Sequence, residues 1–287
     1  MNESDALLNW AGLRRNLAIY RDQFAHAEPF RYVIMDDVLR DDAVREIEAG
    51  FATALSHKNH GSAKSHRNVL KKVGTPNLQM MTPRQVQFFE EINSPEFVGF
   101  LTELTGITPI LGDMELRGGG LHSSVQGGYL NVHTDFNFHP VTNMHRRLNL
   151  ILYANSVWEE DWGGALELWS SDVSECRAKV FPKFNRAVLF ETSEISFHGH
   201  PEPMTCPEGV SRKSLAVYYY SDWPAKLEQR AKTNYVLTPV QLQDLKNEIR
   251  SAINNGAQTF EQASEMISRF QPAHVKQVFP LIQREMR

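Results

Sequence analysis

Cysteine is scarce in this sequence: Cys176 and Cys206 are the only two in 287 residues. Two isolated thiols build neither a disulfide framework nor a CxxC metal site, so a reducing, cytoplasmic setting is expected. A run of about 18 apolar residues is also missing, so neither a transmembrane helix nor a membrane partner is expected. The start, Met1-Asn2-Glu3-Ser4-Asp5, is acidic and lacks the basic opening and apolar stretch of a signal peptide. Strong charge of one sign is absent too. The formal net charge of −4 gives no pull toward nucleic acid. Internal repeats, low-complexity tracts and evident linkers are lacking as well. What remains is an ordinary globular composition, 41% hydrophobic and 22% charged, at a length suited to one large domain with extensions or to two smaller ones.

The N-terminal part reads as helical. Over residues 6–24, Trp10, Leu13, Leu17, Tyr20 and Phe24 recur at three- and four-residue steps, with Arg14, Arg15 and Arg21 between them. A short β-rich run, 30–35, precedes a second helix with Val44, Ile47, Phe51 and Leu55 on one face. Residues 57–73 turn basic, with Lys58, Lys64, Arg67, Lys71 and Lys72, and read as a solvated loop or as a lid facing substrate. Thr82-Pro83-Arg84-Gln85 and Ser94-Pro95-Glu96 each set a capping residue before proline, so two more helices start there. Residues 107–111 and 114–116 are β-like, and Gly118-Gly119-Gly120 reads as a loop.

Short β-rich runs separated by turns follow, at 129–133, 147–153, 165–169, 187–191, 196–198 and 212–220. After Pro224 three helical patterns close the chain. The expected fold is a mainly β core with flanking helices. Its parts are an N-terminal helical segment with the first strand (1–106), a β core (107–223) and a C-terminal helical extension (224–287). The extensions offer a lid or a homodimer surface.

The chemistry gathers around Gly127-Gly128-Tyr129-Leu130-Asn131-Val132-His133-Thr134-Asp135. Side chains two apart in a strand share a face, so His133 and Asp135 can hold one metal ion from the same side. An imidazole and a carboxylate are two of the three ligands of a facial triad on Fe(II), and they also suit zinc. The third ligand has to come from a distant strand. Ser196-Phe197-His198-Gly199-His200-Pro201 offers two histidines facing the same way. His198 is preferred, because it still lies in the apolar run; His200, between glycine and proline, reads as a pocket-wall or turn residue. Arg212 and Ser214 share a face of the next β run, so a guanidinium fork and a hydroxyl can grip one carboxylate. Without such a ligand an inward arginine would be a costly unpaired charge. Candidates for the substrate side are Glu115, Arg117, His122, Asn137, His139 and Arg147, a polar set suited to a hydrophilic small molecule.

Taken together, residues 129–135, 146–155, 163–169, 187–198 and 212–220 resemble an Fe(II)/2-oxoglutarate-dependent dioxygenase of the prolyl 4-hydroxylase-like branch. The resemblance spans residues 32–221 and implies a double-stranded β-helix, or jelly roll, wrapped by N- and C-terminal α-helices. It implies iron held by His133, Asp135 and His198. It makes Arg212 the partner of the far carboxylate of 2-oxoglutarate, with Ser214 beside it and Tyr153, in Tyr153-Ala154-Asn155, reaching the same group. Fe(II), 2-oxoglutarate and O2 are the implied cofactor and co-substrates. The implied reaction is hydroxylation of an unactivated C–H bond with release of succinate and CO2; halogenating relatives carry a small residue where this chain has Asp135. The loop between His198 and Arg212 is longer than in many relatives. A polar small molecule is the expected substrate and a peptidyl, prolyl-type target the alternative. From another class comes a zinc-bound jelly-roll hydrolase or binding protein, for which the Arg212–Ser214 pair has no evident task.

Overall fold

The computed structural model describes residues 6–56, 64–66, 69–224 and 227–286. The N-terminal half contains α1 (Trp10–His26), β1 (Tyr32–Met35), α2 (Asp41–Ala49), α3 (Phe51–Ala54), β2 (Lys64–His66), β3 (Val69–Thr75), α4 (Pro83–Ile92) and α5 (Pro95–Thr105). Then come β4 (Gly120–Thr134), β5 (His145–Tyr153), β6 (Leu166–Trp169), β7 (Cys176–Val180), β8 (Arg186–Glu191), β9 (His198–His200), β10 (Ser211–Ser221) and β11 (Asn234–Tyr235). The chain closes with α6 (Pro239–Asn254), α7 (Phe260–Met266) and α8 (Pro272–Glu285). Among the described residues no helix is long and apolar enough to cross a membrane.

The helix starts follow from local chemistry. Thr82 and Gln85 form the reciprocal capping box that opens α4, Ser94 caps α5 through the Phe97 N–H, and Thr238 and Gln241 repeat the box at α6. Gly106, at φ +71°, takes the left-handed conformation that ends α5. The second N-terminal helix is interrupted at Gly50 and becomes α2 and α3.

All strand pairings are antiparallel, in the order β1-β8-β5-β10-β4-β9-β6-β7, with β3 and β11 also on β4 and β2 on β3. The sheet curls into a nearly closed, jelly-roll-like barrel, as the family resemblance implies. Strand β10 displays the alternation that builds it. Arg212, Ser214, Ala216 and Tyr218 face the barrel interior, whereas Leu215, Val217 and Tyr219 face a hydrophobic core outside it. That core takes Leu13 and Phe24 from α1, Ile47 from α2, Phe89 from α4 and Leu101 from α5. The N-terminal helices thus cover one sheet face, and the cluster continues without a break from the first helix into β10. Helices α6–α8 have a core of their own, with Leu245, Ile249, Phe270, Val275, Phe279 and Ile282. They attach to the barrel through β11, which pairs with β4, and through Gln241, which donates to Asn131 Oδ1 at 2.9 Å.

Several stretches differ from expectation. Residues 107–111 and 114–116 are not strands: Leu111 makes one bridge to Tyr220, and 114–115 is a turn. The Asp113 carboxylate accepts the Glu115 and Arg117 N–H groups, which removes them from any ladder. Strand β4 begins at Gly120, well before Tyr129. Gly127 and Gly128 mark an interruption inside it, where the pairing with β3 steps from Leu70↔Tyr129 to Lys72↔Ser124. The basic stretch is not all loop. Residues 57–63 and 67–68 lie outside the described residues, but β2 and β3 form a hairpin on β4. Strand β7 is an unforeseen outer strand on β6 with a half-polar pattern.

Candidate active site

Strands β4, β5, β9 and β10 turn inward onto a cavity of about 160 Å³. His133 on β4 lies opposite His198 on β9, and Asp135 directly follows the end of β4. The two rings are 4.4 Å apart between centroids. Asp135 Oδ1 is 3.6 Å from His133 Nε2, and Oδ2 is 3.3 Å from His198 Nε2. One ligand atom from each of the three lies within 4.8 Å of the other two. Both rings are fixed from behind: His133 Nδ1 lies 2.8 Å from the Asn131 carbonyl, and His198 Nδ1 lies 2.9 Å from the Ser196 carbonyl. A carbonyl only accepts, so Nδ1 carries the proton in both, and each Nε2 keeps a lone pair directed at the cluster.

Asp135 is fixed in the same manner. Its Oδ2 accepts from Arg146 Nη2 at 2.9 Å and from Asn149 Nδ2 at 2.8 Å. Arg146 is 0% exposed, and its guanidinium carbon stands 3.3 Å from the Tyr218 ring centroid and 4.6 Å from that of Phe136. Burial alone pushes the Asp135 carboxyl up, but the Arg146 cation beside it holds it well below the usual carboxylate range. Burial, with the His198 ring alongside, lowers the His133 pKa.

The other end of the cavity holds Arg212 and Ser214, on β10 opposite Ser124 and His122 of β4. Arg212 Nε donates to the Gly164 carbonyl at 2.7 Å, and Nη2 donates to the Tyr153 hydroxyl at 3.0 Å. The close approach depends on glycine. Gly164 has φ +70°, and a Cβ there would meet Met204 Sδ at 2.7 Å. Burial raises the pKa of the Tyr153 phenol. The fork's remaining N–H groups are available to a ligand.

The other sequence candidates divide. His122 lines the cavity. Arg117 is exposed on the turn after α5, and Glu115 is exposed beside it. Asn137 ties loops together, donating to Glu194 and to the Glu228 carbonyl and accepting from the Arg230 N–H. His139 is buried against Tyr220, ring centroids 5.3 Å apart, and near Glu115 and Asp113. Arg147 borders a separate surface hollow with His145, Glu191 and Glu194. A bulge explains the last case. Tyr219 pairs with Leu148 and Tyr220 with Arg146, so Arg147 is the extra residue, and strict alternation down β5 gives way to an inward Arg146. Lys72 and His200 also line the cavity, as do Thr233 and Tyr235 from the segment after residue 223. The Tyr235 ring lies 5.3 Å from His133, and burial pushes its pKa up to about 12.

Comparison with known proteins gives the same direction. Residues 119–220 match the sequence profile of the 2OG-Fe(II) oxygenase superfamily. A segment of 79 residues is 34% identical to prolyl 3-hydroxylase OGFOD1 of Mus musculus, covering 26% of this chain and 14% of that protein. Prolyl 3,4-dihydroxylase OGFOD1 of Ostreococcus tauri is 25% identical over 210 residues, 67% of this chain and 38% of that protein. The chain thus spans well under half the length of these curated relatives. Among solved structures, a prolyl 4-hydroxylase from Phytophthora capsici aligns over 99% of this chain and 96% of its own, with a TM-score of 0.55 at 16% identity, a likeness of fold.

Proposed function

We propose, from the premise that residues 119–220 form a 2OG-Fe(II) oxygenase domain, that this chain is an Fe(II)- and 2-oxoglutarate-dependent hydroxylase. It acts on an unactivated C–H bond and releases succinate and CO2. The observation that carries this reading is one cavity with lone pairs converging at one end and a buried guanidinium and hydroxyl at the other. His133, Asp135 and His198 fit a divalent metal, because the atoms they do not offer to it are already hydrogen-bonded elsewhere. When bound, Fe(II) and 2-oxoglutarate together supply the oxygen chemistry that amino-acid side chains lack. The chain's own residues hold and orient. Arg212 binds the far carboxylate with Ser214 beside it, and Tyr153 fixes the fork's direction. Arg146 and Asn149 both donate to Oδ2 of Asp135 and hold its carboxylate in place. Tyr235 covers His133 and narrows the way in for water.

A zinc-bound hydrolase would have no task for the buried Arg212–Ser214 pair. The test is anaerobic addition of Fe(II) and 2-oxoglutarate to the purified protein. A weak visible absorption band is expected, and His133→Ala or Asp135→Ala abolishes it. Metal bound with no such band would move the assignment to zinc.

For the substrate we favour a peptidyl, prolyl-type residue, supported by the two relatives named above, a prolyl 3-hydroxylase and a prolyl 3,4-dihydroxylase. The cavity of about 160 Å³ lies below the ~300–1,000 Å³ of sites that engulf a drug-sized molecule. It leaves room for the co-substrate and for one reacting group presented at the mouth. A polar small molecule is the second reading, favoured by Lys72 and His122 in the wall. Succinate release measured across proline-containing peptides and free polar amino acids separates the two. Turnover confined to the free compounds would reverse the order.

A further inference from the structure

Four histidines line the cavity, and three of them, His133, His198 and His200, are held in two different ways. His133 and His198 are each anchored through Nδ1 to the carbonyl two residues earlier. His200, 5% exposed and on the same strand as His198, has no hydrogen-bond partner for its Nδ1 among the described residues. That difference selects the tautomer. A proton on this nitrogen would be a buried donor with nothing to receive it, so the single proton of the ring sits on Nε2. His200 is then a donor where its two neighbours are acceptors.

Strand β4 fixes where that donor stands. Along it, His133 pairs with His198, Leu130 with His200, and Ser124 with Arg212. His200 therefore lies between the metal-binding cluster and the guanidinium, on a wall that a molecule spanning the two must follow. The Arg212 fork has already committed Nε to Gly164 and one Nη2 hydrogen to Tyr153, and Ser214 adds a single hydroxyl. One free edge of the fork meets a carboxylate with two N–H groups, and with the Ser214 hydroxyl that makes three; a carboxylate accepts about four hydrogen bonds, which leaves a place for one more donor.

We propose that His200 is a third donor to the far carboxylate of 2-oxoglutarate, through Nε2, beside Arg212 and Ser214. It positions the co-substrate and does not ligate the metal. This rests on the function proposed above, and the controls are chosen to keep the two apart.

The experiment is anaerobic calorimetry on the full chain loaded with manganese(II), titrated with 2-oxoglutarate and separately with oxalate, which chelates a metal but has no far carboxylate. His200→Val is expected to weaken 2-oxoglutarate about 10- to 100-fold, the range for a hydrogen bond to a charged group. Oxalate and manganese affinities stay unchanged. His200→Gln, which keeps an N–H donor, recovers most of the loss. An unchanged 2-oxoglutarate affinity, an equal loss for oxalate, or loss of manganese itself overturns the assignment. Arg212→Ala, run alongside, separates the two levels: if it too leaves 2-oxoglutarate binding untouched, the reading of the whole cavity fails. Should His200→Val not fold, imidazole ¹⁵N shifts of the unaltered protein decide. A proton on Nε2, with a signal moved by 2-oxoglutarate and not by oxalate, is expected; a proton on Nδ1 overturns the proposal.

Discussion

The two ends of the cavity are made from similar material and finished in opposite ways. At His133, Asp135 and His198 the protons have been turned outward, onto the Asn131 and Ser196 carbonyls, and Asp135 Oδ2 is occupied by Arg146 and Asn149. What faces inward is lone pairs. At Arg212, Ser214 and Tyr153 the fork is steadied by the Gly164 carbonyl and the Tyr153 oxygen, and what faces inward is N–H and O–H. One end suits a cation and the other an anion, so a molecule with a chelating head and a carboxylate tail spans them. Histidine can serve at either end; the hydrogen bond behind the ring decides which.

The largest expected effect is at the acceptor end. Asp135→Ala removes a proposed metal ligand and leaves the Arg146 guanidinium buried without its anion. Breaking one side of such a pair costs about 3–5 kcal/mol. Urea denaturation of the metal-free protein should register that loss, and Asp135→Ala combined with Arg146→Met should recover much of it. Unchanged metal-free stability in the single variant would mean that Arg146 does not depend on Asp135.

At the donor end the effect should fall on the ligand. Arg212→Ala is expected to weaken 2-oxoglutarate at least about 30-fold, or ~2–5 kcal/mol, while manganese affinity holds. Equal loss of both would erase the distinction between the ends.

Acid should also tell them apart. Burial penalises the charged rings of His133 and His200, so both pKa values lie below their ordinary value, that of His200 well below it. As pH falls, the unfolded chain takes up these protons first. The stability due to the two rings is complete above about pH 6.5 and is lost below it, down toward the folded-state values, at up to about 1.4 kcal/mol per pH unit for each ring. Asp135, held well below the usual range, adds its loss only in far stronger acid. At the donor end Tyr153 adds nothing in this range, since burial raises its pKa, so His200 is the ring of that end that responds. The unfolding midpoint of metal-free protein should drop between pH 7 and pH 5, less steeply in His200→Gln. A flat profile would show that neither ring is held neutral by the fold.

The legible part of the site is the part that obeys strict alternation. His133 with Asp135, and Arg212 with Ser214, are pairs two apart, and the structure brings each pair to its own end of one cavity. Arg146 was hidden by the β5 bulge, which no residue pattern announces: counting by two from Tyr153 through Ile151 and Asn149 arrives at Arg147. Asn149 lies on the regular inward face, but an asparagine there has no motif to single it out. Tyr235 escaped because a two-residue strand inside a segment with helical texture has no periodicity to read. In the opposite direction, residues 107–111 have strand-like composition and no ladder partner beyond Leu111, because Asp113 diverts the amides that follow. Alternation predicts a face only while pairing stays regular, and the helix starts were plain because a cap is decided within four residues.

The smallest effect should appear at the seam between the barrel and the C-terminal helices. The Thr238 N–H donates to Gln241 Oε1 at 3.1 Å, the Gln241 N–H donates to Thr238 Oγ1 at 3.2 Å, and Gln241 Nε2 reaches Asn131 Oδ1 at 2.9 Å. Asn131 is also the residue whose main-chain carbonyl holds His133. Gln241→Ala removes half of the capping box and one buried donor to Asn131, a loss of about 1–3 kcal/mol. Helices α6–α8 keep their own core, so urea unfolding should shift while helical content holds. Metal affinity should barely change, because the carbonyl of Asn131, and not its side chain, fixes the His133 tautomer. A tenfold or greater fall in metal affinity would mean that α6 sets the orientation of His133. The acceptor end would then be finished from outside the barrel, and the contrast with the donor end would no longer be one of hydrogen bonds made within it.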